Sequence, residues 1–408
     1  MTPARRQTEG VKTVVVLGGA GAMGRITVKD LVETAPPELQ IVIADYDLAA
    51  ARRLARSHKS PRVRAEAADA TNVRATTRLF KGAFAVVNAV QYQHNLLVMQ
   101  AALAAGIHYL DLGGLFHVTR EQLKLHGAFR RAGLLAVLGI GAAPGIVNLL
   151  ARSAADAMDT VSEIHIQVGG VDRTPGRVAT PLGTSYSIQT VLDESTLPAA
   201  IFTKGRFRFV EPMSGSLPVH FPEPVGLRHP SLTIHSEVAT LPLTYAKKGI
   251  KEMSFRIAFD PDLEEKLRFL RLLGLSSSQP VQLGRAGRRA GAVRVVPREL
   301  LLALLKQLPP PPAAGPPAEY EVLRAVVRGT RAGQAVEETV DCHVPGIPAW
   351  GMGIDVDTGC PPSIVVQLLA RGEVTARGAL PPERAIAPEP FFRELAARGM
   401  TVQRHIAL

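Results

Sequence analysis

The stretch that decides the fold runs Val14-Val15-Val16-Leu17-Gly18-Gly19-Ala20-Gly21-Ala22-Met23-Gly24. An unbroken apolar run rich in β-branched residues reads as a buried strand. Glycines follow at Gly19, Gly21 and Gly24 in the spacing G-x-G-x-x-G, and Arg25 to Val32 reads as a helix. The bare pattern is weak evidence. Its place between a strand and a helix, in the first turn of a βαβ unit, is what gives it meaning. There Gly19 permits the tight turn, Gly21 lets backbone approach a diphosphate, and Gly24 lets the helix pack closely. The helix start adds N–H groups and partial positive charge. Gly19, Ala20, Gly21, Ala22, Met23 and Gly24 are therefore the expected grip on a dinucleotide.

Outward from this turn, apolar runs alternate with amphipathic stretches. Strands are expected at Val14 to Leu17, Ile41 to Ala44, Val63 to Ala67, Ala85 to Asn88, His108 to Leu110 and Leu134 to Leu138. Helical patterns fall at Leu48 to Arg56, Asn95 to Ala105 and Thr119 to Ala132. Such alternation predicts an α/β class, a Rossmann-type doubly wound parallel sheet over residues 1–150. A chain of 408 residues is too long for one ordinary core. After Asn148 the runs become longer and more β-branched, at Val161 to Val168, Phe207 to Val210 and Ser254 to Phe259. They predict a second, α+β domain for substrate and dimerisation over 151–350. Pro362 to Leu369 and Pro390 to Ala397 look helical again, and Pro309 to Pro317 reads as an exposed spacer.

Composition excludes several classes. At 46% hydrophobic and 20% charged the chain is a folded, soluble protein rather than a disordered one. Its net charge of +11 includes a run at Arg285, Arg288, Arg289, Arg294 and Arg298. No aromatic residue interleaves that run, so we expect no nucleic acid and read it as a solvated loop or edge strand. Cys342 and Cys360 form no metal-ligand spacing and no disulfide framework; a cytoplasmic protein without a metal is expected. Glycine and proline interrupt the uncharged stretch Ala132 to Ala151, which splits into strand, turn and helix start rather than a membrane span. No apolar core of an export signal precedes the first strand.

Asp45 follows Gly24 by 21 residues, at the end of the second strand. A carboxylate there accepts a ribose 2′-hydroxyl and repels a 2′-phosphate, so NAD is expected, with NADP possible because Arg52 and Arg53 lie close in sequence. Asp47 adds to the repulsion. The bland alternative for Asp45 is a surface acid in a turn. Asp69, after the third strand, is either an adenine-side residue or an ordinary cap. Asn88, Ala89 and Tyr92 belong to the loop after the fourth strand, which is expected along the nicotinamide ribose or simply to cap a helix.

Four groups of residues resemble those of the saccharopine dehydrogenase-like oxidoreductases, which include saccharopine reductase and lysine 6-dehydrogenase. They are His108-Tyr109-Leu110-Asp111-Leu112-Gly113-Gly114, the G-x-x-P-G turn within Gly139 to Asn148, His235 to Pro242, and Thr358-Gly359-Cys360-Pro361 with Gly378 to Glu383 and Phe391 to Leu395. The resemblance covers most of the chain, least well over 280–318. It implies hydride transfer at a carbon bearing nitrogen, in lysine or a lysine-derived amino acid. It also implies that residues 351–408 return to the first domain. Ala143 stands where saccharopine reductases carry an acid, which resembles the lysine 6-dehydrogenase branch.

Such chemistry needs a proton acceptor and a hold on a charged substrate. Asp111, at a strand end, can hold an ammonium or relay a proton; capping the turn at Gly113 is the alternative. His117 reads as a surface residue. His235 and Glu237 are the other catalytic candidates, sharing one face of a strand with Ser236 on the opposite face. Tyr92, Asn148, Tyr186, Arg228 and Ser236 are candidates for substrate binding, Arg228 through a bidentate grip on a carboxylate; Ser187 is weaker. The expected partners are a small amino-acid substrate and, by analogy, a second copy in a homodimer.

Overall fold

Strand β1 (Lys12–Leu17) is buried from Val14 onward and lies between two parallel neighbours. The computed structural model describes residues 11–177, 181–183, 187–283, 293–309 and 315–407. The chain divides into two compact units. One runs to Gly145 and takes in Asp357–Phe391; the other holds Ile146–Val356 and the residues from Phe392 onward.

In the first unit β1 leads through the glycine turn into α1 (Ala22–Thr34). There follow β2 (Leu39–Asp45), α2 (Leu48–Ser57), β3 (Val63–Ala67), α3 (Val73–Phe80), β4 (Ala85–Asn88), α4 (Asn95–Ala105) and β5 (His108–Asp111). Then come α5 (Leu115–Leu123), α6 (His126–Arg131) and β6 (Leu135–Val137). The sheet is parallel throughout, in the order β6-β5-β4-β1-β2-β3, with a seventh strand, Gly378–Leu380, beside β6. Helices cover parallel strands on both faces, which is why these strands are continuous apolar runs. Val15, Leu17, Val42, Val86 and Tyr109 pack with Phe80, Met99 and Phe129 in one core. Strand order reverses between β1 and β4, so the carboxyl ends of those strands open the crevice where such sheets bind ligands.

The expected six-strand Rossmann sheet is present. The single helix expected over Thr119 to Ala132 is two. Its break lies at Lys124 and Leu125, whose N–H groups bond to Glu121 and Gln122 three residues back, and Gly127 follows.

The second unit opens with α7 (Ile146–Ala155) and the long strand β7 (Thr160–Asp172). After α8 (Ile188–Thr196) come β8 (Ala199–Thr203), β9 (Arg206–Val210) and α9 (Glu237–Thr244). The sheet is mixed, ordered Thr401–Ala407, Gln334–Val344, Glu319–Arg331, β7, Glu252–Ala258, β8, β9. Only β7 and Glu252–Ala258 run parallel along this path. In β7, Val161, Ile164, Ile166 and Val168 are buried, while Glu163, His165 and Gln167 alternate with the last three.

One expectation about the arginine run fails. Arg298 is buried, paired with the carboxylate of Asp193, and donates Nε–H to the Ser276 carbonyl at 2.7 Å. A buried carboxylate needs such a partner, so this arginine is structural rather than solvated. Arg294 lies on a short strand, Val293–Val295, and is exposed. Arg285, Arg288, Arg289 and most of the proline-rich segment lie outside the described residues. Among those described, no helix is long and apolar enough to cross a membrane.

Candidate active site

The glycine turn is built as a cradle. Gly18 takes the left-handed backbone, φ +75°, and its N–H and that of Gly19 reach the Ala44 carbonyl at 2.8 and 3.3 Å. The residue that makes the turn tight is thus Gly18, not Gly19 as the motif alone suggests. Gly19 is constrained by packing: a Cβ there would sit 2.8 Å from the Val16 carbonyl oxygen and 3.0 Å from the Ile43 side chain. At Gly24 a Cβ would fall 2.2 Å from the Gly18 oxygen, so only glycine lets α1 seat against the turn. Gly21 stands extended before the helix without a side-chain cap, and it and Ala22 are exposed. The first N–H groups of α1 lack acceptors within the helix. An open helix start without a Cβ in front of it fits a diphosphate.

Asp45 closes the cradle. Its Oδ2 accepts the Ala20 N–H at 3.0 Å and its Oδ1 the Asp47 N–H at 3.0 Å, with the residue 5% exposed. Each carboxylate oxygen has a second acceptor position, enough for a ribose hydroxyl. Asp47 caps α2 by accepting the Ala50 N–H at 2.9 Å. Between them Tyr46 is 90% exposed. Sequence reading passed over it because a lone aromatic in a turn carries no pattern. Arg52 and Arg53 are exposed on α2. Asp69 is exposed; its Oδ1 takes both the N–H and the hydroxyl of Thr71, and these bonds lower its pKa. It therefore serves a turn before α3.

The ends of β4 and β5 face inward. Asn88 is buried, its Nδ2 donating to Asn95 Oδ1 at 2.9 Å and to the Tyr109 hydroxyl at 3.2 Å. Ala89 donates its N–H to Leu17, tying the loop to β1, and Tyr92 is half-buried in a short 3₁₀ turn. Asp111 is fully buried and accepts from Tyr109, Gln122, Gly113 and Gly139. Burial raises its pKa, outweighing the hydrogen bonds, Gln122 first, that pull it down. With its acceptor positions taken, Asp111 holds the turns in place rather than waiting for substrate. His117 is exposed, edge-on to Phe116.

The second unit carries a different cluster. His235 Nδ1 meets Glu237 Oε2 at 2.5 Å, and its Nε2 lies 3.6 Å from Glu194 Oε1. The imidazole lies flat on Phe255. Burial would lower the histidine's pKa, but the charge of Glu237 and the neighbouring Glu194 carboxylate raise it to about 10. The ring is therefore an imidazolium at neutral pH, held between two buried carboxylates. Glu237 Oε1 is buried with no hydrogen-bond partner among the described residues.

His235 and Glu237 do not meet by strand alternation. Glu237 is the first residue of α9 and Ser236 precedes it with helical backbone, so a chain turn joins them. Glu194 was missed: it sits on α8 in a Leu-Asp-Glu-Ser-Thr run that reads as a solvated helix face, yet both acids are buried. Ser187 caps α8 by accepting the Thr190 N–H. Asn148 is buried in the first turn of α7. Arg228 does not present a free fork, since Nε and Nη1 donate to the carbonyls of Gly170 and Leu227. Tyr186 lies outside the described residues. Among the described residues no group of three or more His, Cys, Asp or Glu is placed to hold a metal.

Residues 14–137 match the saccharopine dehydrogenase NADP binding domain and residues 141–400 the saccharopine dehydrogenase C-terminal domain. Carboxyaminopropylagmatine dehydrogenase of Synechocystis is 24% identical over 95% of this chain and 96% of that protein. Carboxynorspermidine synthase of Vibrio cholerae is 23% identical over 94% of each. Among solved structures, saccharopine dehydrogenase (L-Glu forming) from Saccharomyces cerevisiae superposes with a TM-score of 0.71 at 17% identity, covering 97% of this chain and 100% of its own. Homospermidine synthase from Legionella pneumophila, solved with NAD, gives 0.67 at 12% identity over 97% and 91%. These two show the fold. The chain, an oxidoreductase whose first unit is the family's dinucleotide-binding domain, belongs to the saccharopine dehydrogenase family.

Proposed function

We propose that the chain makes or oxidises the C–N single bond of a secondary amine joining a carboxylate-bearing arm to a cationic arm, with NAD preferred to NADP. The observation that carries this reading is the Glu194–His235–Glu237 cluster, in which a buried carboxylate oxygen of Glu237 has no hydrogen-bond partner among the described residues. Two carboxylates around one imidazolium leave one net negative charge, suited to a single cationic nitrogen. The names of the relatives, carboxyaminopropylagmatine dehydrogenase and carboxynorspermidine synthase, favour a carboxylated polyamine over lysine. Lysine or a lysine-derived amino acid is the second reading, favoured by Ala143 in the G-x-x-P-G turn.

The bound dinucleotide supplies hydride acceptance or donation. Gly19 to Gly24 hold its diphosphate and Asp45 its ribose, and that carboxylate favours the unphosphorylated form. Asp69, Asn88 and Ala89 belong to the same binding edge in this reading. Glu237 Oε1 accepts an N–H of the substrate nitrogen. The proton between His235 Nδ1 and Glu237 Oε2 is the one delivered to an imine nitrogen, or taken back when an amine is oxidised. Glu194 keeps the imidazole charged and oriented. Tyr92, Asn148, Ser236 and Tyr186 are the substrate contacts of this reading. By analogy with other two-domain enzymes a cytoplasmic homodimer goes with this reading, and sedimentation checks the dimer.

The test is turnover of carboxyaminopropylagmatine, carboxynorspermidine, saccharopine and lysine, each with NAD and with NADP, followed as absorbance of the reduced cofactor. The carboxylated polyamines are expected to lead. Lysine leading would favour the second reading, and silence with every amine would sink both.

A further inference from the structure

The carboxyl ends of β4, β5 and β6 are tied together by one buried polar network, and Asp111 is its centre. Its Oδ1 takes two backbone N–H groups, Gly113 at 3.0 Å and Gly139 at 2.6 Å. Its Oδ2 takes the Tyr109 hydroxyl at 2.8 Å and the Gln122 amide. Its own carbonyl accepts the Ile140 N–H at 2.7 Å. The Gly113 peptide is also gripped from the other side, because Asn95 Nδ2 donates to the Gly113 carbonyl at 2.9 Å. Asn95 in turn accepts from Asn88, at the end of β4.

Both turns held this way have backbones that only glycine adopts easily, φ +121° at Gly113 and +82° at Gly139. A Cβ at Gly139 would lie 2.4 Å from Pro144. All four partners of the carboxylate, two backbone N–H groups and two side chains, are neutral donors, so nothing but hydrogen bonds offsets the burial of its charge. An acceptor-only group is required: an amide in its place would aim N–H at N–H. A core position with no further duty would be filled more cheaply by an apolar residue.

We propose that Asp111 is a positioning residue for the nicotinamide half of the dinucleotide, setting the turns after β5 and β6 on which that half lies. In a doubly wound sheet the strands β1 to β3 serve one mononucleotide and β4 to β6 the other. The Asp111 network belongs wholly to the second set, and the glycine turn with Asp45 to the first. The inference rests on the reading of this unit as a nicotinamide dinucleotide domain.

The two halves are separable by ligand. Asp111→Asn is compared with the wild type for binding of ADP, which reaches only the first half, and of NADH, followed by the fluorescence of its nicotinamide. ADP affinity is expected to stay within about twofold while NADH affinity falls about tenfold or more, the tenfold step being about 1.4 kcal/mol. At saturating cofactor kcat should fall as well. Loss of ADP and NADH binding together would show a merely structural role, and unchanged NADH binding would show no role; either overturns the proposal. Tyr109→Phe and Gln122→Met each remove a single donor and keep the core filled. They should show the same selective loss in milder form, and they decide the matter if Asp111→Asn does not fold. Failure of the wild type to bind NADH would instead sink the reading beneath it.

Discussion

The imidazole of His235 lies on the ring of Phe255 with centroids 3.7 Å apart and planes 9° from parallel. A charged ring stacked on an aromatic face gains cation–π attraction, worth more when both are desolvated. Together with Glu194 and Glu237 this fixes a proton in the interior of the second unit at neutral pH.

Replacing Glu237 by Gln keeps the shape of the side chain and removes its charge. We expect kcat/KM for the amine substrate to fall by about 10²-fold or more, the usual worth of a positioned proton-transfer group. Cofactor binding should be unchanged, since Glu237 belongs to the other unit. Steady-state kinetics beside a cofactor titration reads both.

The same cluster predicts the pH dependence of stability. His235 has its pKa raised from 6.5 to about 10, chiefly by Glu237 and Glu194 acting against burial. The folded chain thus keeps a proton that the unfolded chain releases above its own pKa. The resulting stability is complete below about pH 6.5 and is lost as pH climbs through about 10. Thermal melts across that window should show the decline in the wild type and a flatter profile in His235→Gln.

Gly24→Ala puts a methyl 2.2 Å from a backbone oxygen that cannot move without the turn. Overpacking of this kind costs about 1–3 kcal/mol, and here the distortion falls on the diphosphate cradle. Calorimetry should report at least a tenfold weaker Kd for NADH, about 1.4 kcal/mol, with a lowered melting temperature.

Asp45→Ser separates two effects of one carboxylate. Losing the bond to the Ala20 N–H loosens the cradle and should weaken NAD and NADP alike. Losing the charge removes repulsion of a 2′-phosphate, so the ratio of the two affinities should move toward NADP. If the ratio of Kd values stays fixed, the carboxylate does not read the ribose.

The first unit was legible because its signals are local. Val14 to Leu17, Ile41 to Ala44 and Ala85 to Val87 are buried on both faces of the sheet and so are apolar at every position. The glycines at 19, 21 and 24 are constrained by atoms within a few residues of them, Ile43 excepted. The short strand Gly378–Leu380 escaped notice, since three residues carry no period and its partner β6 is remote in sequence. The acids of the second cluster escaped for the opposite reason. Glu194 and Asp193 look like a solvated pair, and only tertiary packing sends one to His235 and the other to Arg298. At His235 to Glu237 the proximity was anticipated and its cause was not: a helix start does what strand alternation was expected to do.

The seventh strand also bears on how the chain is made. Because Gly378–Leu380 pairs with β6, the first sheet stays unfinished until Leu380 has left the ribosome, long after β6 itself. During synthesis β6 presents a bare edge, the kind that recruits other nascent chains. Fragments cut soon after β6 should therefore precipitate unless this late segment is supplied, so expression trials are better designed to include Gly378–Leu380.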